Sequence, residues 1–303
     1  MAGATNSRIL VTGALGQIGT ELVEALRSLH GADAVVASDV RDIPDHPCVV
    51  GGPYRHLSVI DADTFDEVVT EESIGTVYHL AAILSATGEK NPELCERINV
   101  GGTVTVLEAA RKHGLRVYAP SSIAVFGPDA PKHAPQVCPL NPTTMYGKTK
   151  VTGERLAMNY WKQYGVDVRG IRYPGLISYK APAGGGTTDY AVDIFHAALE
   201  NGHYDCFVRS DTHLPMMYME DAIRATIALM DAQSTQLVMH VEATTSRVVH
   251  LRPLKSQMRL QQGCLNLLVI SSPTSGKSML IHGQTPLTIL QPSKIGDGRP
   301  SMI

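Results

Sequence analysis

Over the first 180 residues, short β-branched runs alternate with segments whose apolar positions recur at helical spacing. That rhythm is produced by βαβ units, which build a parallel sheet with helices on both faces. Strands are predicted over residues 8–12, 34–38, 55–59 and 76–80, with a helix over 17–29. A long helix follows over 91–113, with Pro92 favourable near its start and Gly114 as a stop signal. A fifth strand is predicted over 116–121, then a proline-rich loop over 127–142, and a helix over 145–164 that stacks Leu156, Tyr160 and Tyr164 on one face before Gly165 ends it. A sixth strand over 166–172 closes the pattern. The expected fold is α/β, a Rossmann doubly wound parallel sheet spanning residues 1–180.

Beyond Pro174 the alternation fades. A glycine-rich stretch (183–188), a helix over 189–201 and an amphipathic segment over 219–230 suggest a smaller substrate lobe, residues 181–237. From about Val238 the character changes again. Residues 241–303 hold two acids (Glu242, Asp297) and seven Lys or Arg, so this stretch carries +5 in a chain whose formal charge is −3. Ser, Thr, Pro and Gln recur there without a regular period, apart from an apolar run over 265–270. The expectation for 238–303 is an atypical, poorly ordered tail, and hence an incomplete substrate lobe.

Composition narrows the function classes. Hydrophobic residues make up 44% and charged residues 18%, the balance of a soluble globular chain. With no basic excess and no aromatic residues among the dispersed basic ones of the tail, a nucleic-acid partner is not expected; a small molecule is. No apolar run reaches the roughly 18 residues of a membrane helix. Only seven residues precede the first strand, too few for a signal peptide, so the expected compartment is the cytoplasm, or the mitochondrial matrix if a transit peptide has been removed. The five cysteines (Cys48, Cys95, Cys138, Cys206, Cys264) are widely spaced and form no CxxC pair, which argues against a disulfide framework or a structural zinc.

The chemistry lies in two constellations. Gly13-Ala14-Leu15-Gly16-Gln17-Ile18-Gly19 leaves the first strand and opens the first helix. Gly13 allows a tight turn, Gly16 lets the main chain approach a pyrophosphate, Gly19 lets helix and strand pack closely, and the helix start offers N–H groups to the anion. Asp39 stands twenty residues beyond Gly19 at the expected end of the second strand, where an acid bonds the adenosine ribose. Its charge repels a 2′-phosphate, which favours NAD over NADP, with Arg41 partly offsetting that repulsion. The second constellation is Tyr146 and Lys150, four residues apart and so on one helix face, joined by Ser122 at the end of the fifth strand. A phenol titrating near 10 needs a neighbouring cation to serve as a base, and Lys150 supplies one.

These motifs resemble the extended short-chain dehydrogenases. Asn99 in Ile98-Asn99-Val100 matches that group's helix asparagine, and Tyr173-Pro174-Gly175 is similar to its turn beside the nicotinamide. The resemblance covers residues 8–237 and implies an NAD site formed by Gly13, Gly16, Gln17, Ile18, Gly19, Asp39, Leu57, Leu80, Ala81, Ala82, Asn99, Tyr146, Lys150, Tyr173 and Pro174. Ser122, Tyr146 and Lys150 are its implied catalytic residues. Three segments (79–85, 184–191 and 214–219) look like the L-threonine dehydrogenase branch. By that likeness L-threonine is the substrate, contacted by Ser85 and Thr188 together with Ser122 and Tyr146, and a homodimer is the implied assembly. Two features depart from the pattern. Ser58 stands where these proteins commonly carry an aspartate near the adenine, and 238–303 resembles none of their closing segments, as a reading-frame shift or altered splicing would produce. The expected outcome is NAD binding with feeble or absent threonine turnover.

Two other readings stay open at this level: a nucleotide-sugar epimerase or dehydratase, which would share everything up to Lys150, and a catalytically impaired NAD-binding relative. A phosphate-binding loop over 273–278 is rejected because its first glycine would fall on Ser271. No HExxH or paired Cys-His spacing supports a metal site.

Overall fold

The computed structural model describes residues 7–131, 134–180, 184–186, 188–206, 214–233, 269–271 and 279–281. In chain order the first half contains β1 (Arg8–Thr12), α1 (Gln17–His30), β2 (Val35–Asp39), α2 (Pro47–Val50), β3 (Tyr54–His56), α3 (Ala62–Glu71), β4 (Ile74–His79), α4 (Ser85–Lys90), α5 (Pro92–Glu96), a π-helical turn (Arg97–Gly101) and α6 (Gly102–His113). There follow β5 (Arg116–Tyr118), β6 (Ser121–Ser122), α7 (Met145–Tyr164), β7 (Val168–Arg169), β8 (Arg172–Tyr173), β9 (Gly175–Ile177), α8 (Tyr190–Asn201), β10 (Met216–Tyr218), α9 (Met219–Asp231), β11 (Val269–Ser271) and β12 (Met279–Ile281).

Six strands form one parallel sheet in the order β3-β2-β1-β4-β5-β7. The chain runs outward from β1 through β2 to β3, then returns across β1 to lay down β4. At that reversal the connections leave toward opposite faces, and a crevice opens at the carboxyl ends of β1 and β4. Side chains alternate between two cores. Val11, Val35 and Ala37 face one side with Leu22 and Leu26 of α1 and Met219, Ala222 and Leu229 of α9. Leu10, Val36 and Val77 face the other with Phe65 of α3 and Val106 and Leu107 of α6. A strand covered on both faces is apolar at successive positions, which is why the central strands read as continuous hydrophobic runs.

Several expectations are refined. The strand expected over 166–172 is broken at Gly170, where a Cβ would lie 2.2 Å from the Ala119 carbonyl oxygen. The chain passes there from β7 in the main sheet to β8, which pairs with β6 in a separate two-stranded parallel sheet. The fifth strand likewise ends at Tyr118 rather than 121. The helix expected over 91–113 is α5 and α6 joined by the π turn, and α7 occupies the expected 145–164. Helices α3 and α4 were not read from the pattern.

The chain divides into a unit of Met1–Asp193 with His213–Arg259 and a second of Ile194–Thr212 with Leu260–Ile303. In the second, β11 and β12 pair antiparallel, Val269 opposite Ile281. The apolar run over 265–270 thus contributes its last two residues to a strand; the rest of the tail reading, and the rejected 273–278 loop, lie outside the described residues. No helix among the described residues is long and apolar enough to cross a membrane.

Arg169, only 2% exposed, fastens α9 to the sheet. Its Nη1 donates to the carbonyls of Leu229 (2.8 Å), Met230 (3.0 Å) and Ala232 (2.7 Å), while Nε and Nη2 grip both oxygens of Asp167. A cation at a helix C-terminus satisfies carbonyls that have no partner within the helix. Arg169→Met should therefore cost about 3 kcal/mol or more, because it strands these carbonyls and a carboxylate together. Urea unfolding followed by circular dichroism measures it; a loss under about 1 kcal/mol, the worth of an ordinary surface pair, would show that the clasp does not hold the helix.

Candidate active site

The glycine turn lies at the carboxyl end of β1. Gly13 adopts φ +67°, and a Cβ there would come within 2.7 Å of the Ala81 nitrogen and 2.9 Å of the Leu80 carbonyl carbon, both main chain. A Cβ on Gly19 would meet the Gly13 oxygen at 2.4 Å. Gly16 caps α1 in an extended conformation without a side-chain cap, and the first turn carries no acid. The amides of the first turn, including those of Gln17 and Ile18, have no carbonyl partner within the helix, the kind of group a pyrophosphate can use. Leu80, Ala81 and Ala82 run along the other wall of the crevice, and the Leu80 amide donates to the Thr12 carbonyl (3.1 Å).

Asp39 ends β2, 6% exposed. Its Oδ2 accepts from the Leu15 amide (3.1 Å), and Arg41 grips both oxygens through Nε and Nη2, each at 3.0 Å. Burial draws the carboxyl upward, but the Arg41 bonds outweigh it and hold Asp39 below its ordinary value, fully ionised at neutral pH. Leu57, buried behind β2, bonds the Asp39 carbonyl through its amide (2.9 Å).

Two carboxylate and hydroxyl contacts fix the start of α7. Thr144 Oγ1 accepts from the Gly147 amide (3.1 Å), and Glu89 of α4 accepts from the Met145 amide (2.6 Å). Tyr146 and Lys150 therefore leave a helix end that is tied down on both sides. Lys150 Nζ lies 5.5 Å from the Tyr146 ring centroid and donates to the Pro120 carbonyl (3.0 Å). Ser122 hydrogen-bonds Tyr146, and its oxygen also accepts from the Ala124 amide (3.1 Å). Burial pushes the Tyr146 phenol up to about 12, opposed by Ser122. The same burial draws the Lys150 ammonium down to about 8, opposed by Cys95 and Glu154. His79, beside Lys150, is pushed down to about 3 by burial and by that ammonium; it stays neutral, its Nδ1 paired with Thr12 Oγ1 (3.0 Å). The local charge at neutral pH is the lysine's.

Asn99, on the π turn, shares two bonds with Ile83: its Oδ1 accepts from the amide (2.7 Å) and its Nδ2 donates to the carbonyl (3.0 Å). Nδ2 also reaches Thr149 Oγ1 (3.1 Å), whose hydroxyl donates to the Tyr146 carbonyl (2.8 Å). The asparagine therefore splints the 80–84 segment to α7. Tyr173 is placed differently from what its neighbourhood suggests. Its ring is buried, with its hydroxyl bonded to Tyr118 (2.6 Å) and to Thr226, so the crevice is offered only the main chain there and Pro174.

The substrate-side segments converge. The Ala86 amide, one residue past Ser85, donates to Gly185 (3.1 Å), and a Cβ on Gly184 would touch Leu84 at 3.0 Å. Gly175 has its space filled by Met216 Sδ and Thr188 Cγ2. Asp189 shapes this loop by accepting from the amides of Gly185 (2.8 Å) and Gly186 (2.6 Å), and burial raises its pKa in spite of them. Sequence reading passed over Asp189, Glu89, Thr149 and Glu154. Glu154 alone had a signal, four residues beyond Lys150 on the same face of α7. It accepts from Ser121 Oγ (2.5 Å) and from Arg172 Nε and Nη2 (2.7 Å each). Among the described residues no group of three His, Cys, Asp or Glu side chains converges as a metal site would require.

The NAD dependent epimerase/dehydratase family model matches residues 9–241. An uncharacterized epimerase/dehydratase of Staphylococcus saprophyticus is 48% identical over 232 residues, 76% of this chain and 72% of that protein. Among solved structures, a monomeric L-threonine 3-dehydrogenase from a metagenome database superposes with a TM-score of 0.74 at 52% identity, covering 78% of each chain. The L-threonine dehydrogenase of Phytophthora infestans gives 0.73 at 47%, covering 79% of this chain and 78% of that one. The holo form of a GalE-like L-threonine dehydrogenase from Cupriavidus necator gives 0.73 at 50%, covering 76% and 74%. With a glycine turn after β1, an acid at the end of β2 and a Ser-Tyr-Lys set, the chain belongs to the NAD dependent epimerase/dehydratase family, as an NAD-dependent oxidoreductase of the extended short-chain dehydrogenase kind.

Proposed function

We propose that this chain oxidises the β-hydroxyl of L-threonine to 2-amino-3-oxobutanoate. The observation that carries the reading is the meeting of segments 79–85, 184–191 and 214–219: Ala86, the residue after the first, bonds Gly185 of the second, and Thr188 and Met216 of the second and third pack together at Gly175. The three matched solved dehydrogenases, each described as acting on L-threonine, support the same substrate.

In this reading the gly-rich turn, Asp39 and the 80–82 wall hold NAD, which when bound accepts the hydride from the substrate's β-carbon. The chain's own residues manage the proton. Tyr146, as phenolate, takes it from the β-hydroxyl; Ser122 donates a hydrogen bond to the substrate oxygen; and Lys150 offsets the phenolate charge. Ser85 and Thr188, on the two joined segments, orient the amino acid. Burial works against the phenolate and the Ser122 hydrogen bond favours it; in this reading the lysine charge 5.5 Å from the ring adds to that favourable side.

Tyr146→Phe should lower kcat by roughly 10²–10⁴ with NAD affinity nearly unchanged; steady-state NADH formation and a binding titration read the two effects, and near-normal turnover would remove Tyr146 from the role. Turnover of nucleotide sugars in preference to L-threonine in a side-by-side screen would overturn the substrate. Lys150→Met should move the rising limb of log kcat/KM to higher pH, because Tyr146, already pushed up to about 12, loses its cation. In the parent, activity should climb as the phenol ionises and stop climbing as Lys150 loses its proton near pH 8. A pH profile identical in the variant would show that the lysine does not tune the phenol.

A further inference from the structure

Glu21 is a buried acid that the proton chemistry does not use. It lies on α1 one turn past Gln17, 6% exposed, in a buried stretch with Gly19, Thr20, Leu22 and Val23. A carboxylate taken out of water is costly unless hydrogen bonds replace its hydration. Here the replacement comes from 157 residues along the chain: the buried Ser178 Oγ donates to Glu21 Oε1 (2.7 Å). Beside it, Lys180 Nζ donates to Glu24 Oε2 (2.7 Å), but Glu24 is exposed and that pair contributes little. The inner bond is charge-assisted and shielded from water, which makes it the stronger tether.

What this tether fixes is β9. The strand is three residues long and, among the described residues, pairs only with β10. So short a two-stranded pair has little stability of its own, and its ends decide its place. Ser178 is the residue after its last. A Cβ on Gly175, its first, would lie 2.7 Å from Thr188 Cγ2 and closer still to Met216 Sδ. Glu21 thus holds one end of β9 against α1, while the other end is the wall on which Thr188 packs. Helix α1 in turn starts at the glycine turn, which is pressed against Leu80 and Ala81. We propose that Glu21 is a positioning residue for the substrate: through Ser178 and β9 it sets where Thr188 stands relative to the glycine turn. An apolar residue at position 21 would serve folding as well or better, since replacing a buried charge by a hydrophobic group of similar size is often stabilising. The inference rests on the reading of Thr188 as a contact to the amino-acid substrate.

Glu21→Leu in the full chain tests it, because leucine removes the acceptor and keeps the apolar contacts of the helix. In urea unfolding the variant should be at least as stable as the parent. Its KM for L-threonine at saturating NAD⁺ should rise about ten-fold, the worth of one charge-assisted hydrogen bond, with kcat little changed and NAD⁺ affinity unaltered by calorimetric titration. Ser178→Ala should raise KM to the same extent, and the double variant no further, because the two residues share one interaction. Glu21→Gln, whose amide oxygen still accepts from Ser178, should restore most of the parent KM. A parent-like KM in Glu21→Leu, or a KM that rises only in step with lost stability across the series, would overturn the proposal. Hydrogen exchange of the NAD⁺ complex separates this role from the substrate reading. Amides at 175–180 should exchange faster in Glu21→Leu while those of β1 and β2 stay protected. If the parent fails to turn over L-threonine, the substrate reading falls; faster exchange at 175–180 then still supports the tether, and unchanged exchange there overturns it.

Discussion

The closeness of two main chains at the centre of the sheet governs the rest of this molecule. At Gly13 the turn after β1 lies against the backbone of Leu80 and Ala81, with no room for a single side-chain carbon. That contact fixes how far β1 and β4 open at their carboxyl ends, hence the width of the crevice, the direction of the α1 amides and the position of the 80–84 wall. Asn99 then transmits that wall position, through Ile83 and Thr149, to the helix bearing Tyr146 and Lys150. The glycine turn and the helix of Tyr146 and Lys150 are thus one mechanical assembly.

Buried charge does the complementary work on the far side of the site. Glu154 and Arg172, 4% and 5% exposed, meet bidentately where β6 and β8 pair, and Glu154 also holds Ser121. Desolvating such a pair is costly unless the remaining hydrogen-bonding capacity is satisfied. Here Ser121 and the Gln136 carbonyl, which accepts from Arg172 Nη1 (2.8 Å), supply it. What the pair secures is location: it fixes the two-residue strand that ends in Ser122.

The parts legible in the sequence are those set by local chemistry. The helix over 145–164 has a Thr144 cap, Leu156 and Tyr160 at helical spacing and a Gly165 stop with φ +72°, and each is local. The glycine turn, Asp39 and the Tyr-Lys spacing are likewise carried by short stretches of chain. The parts that were not legible depend on distant partners. Helix α4, Ser-Ala-Thr-Gly-Glu-Lys, has no apolar stripe and is placed by what Glu89 and Ala86 bond elsewhere. The break at Gly170 follows from the Ala119 carbonyl just past the end of β5, and the inward turn of Tyr173 from hydroxyls on β5 and α9. Glu154 shows the boundary between the two: its spacing from Lys150 was visible, its partners were not.

The π turn at Arg97–Gly101 has a further consequence for how this chain can change in length. It holds one residue more than a regular helix would at that place, and the surplus lets Asn99 face Ile83 while α6 still presents Val106, Leu107, Ala109 and Ala110 to the sheet. Each residue of an α-helix turns the following segment by about 100°. Deleting one residue here would straighten the helix and rotate either the asparagine or the apolar stripe out of place, while Gly102, already pressed against Val59, leaves no slack for compensation. Insertions and deletions are therefore forbidden across a stretch in which individual surface side chains are free to vary, so the count of residues between Pro92 and Gly114 is itself a structural constraint.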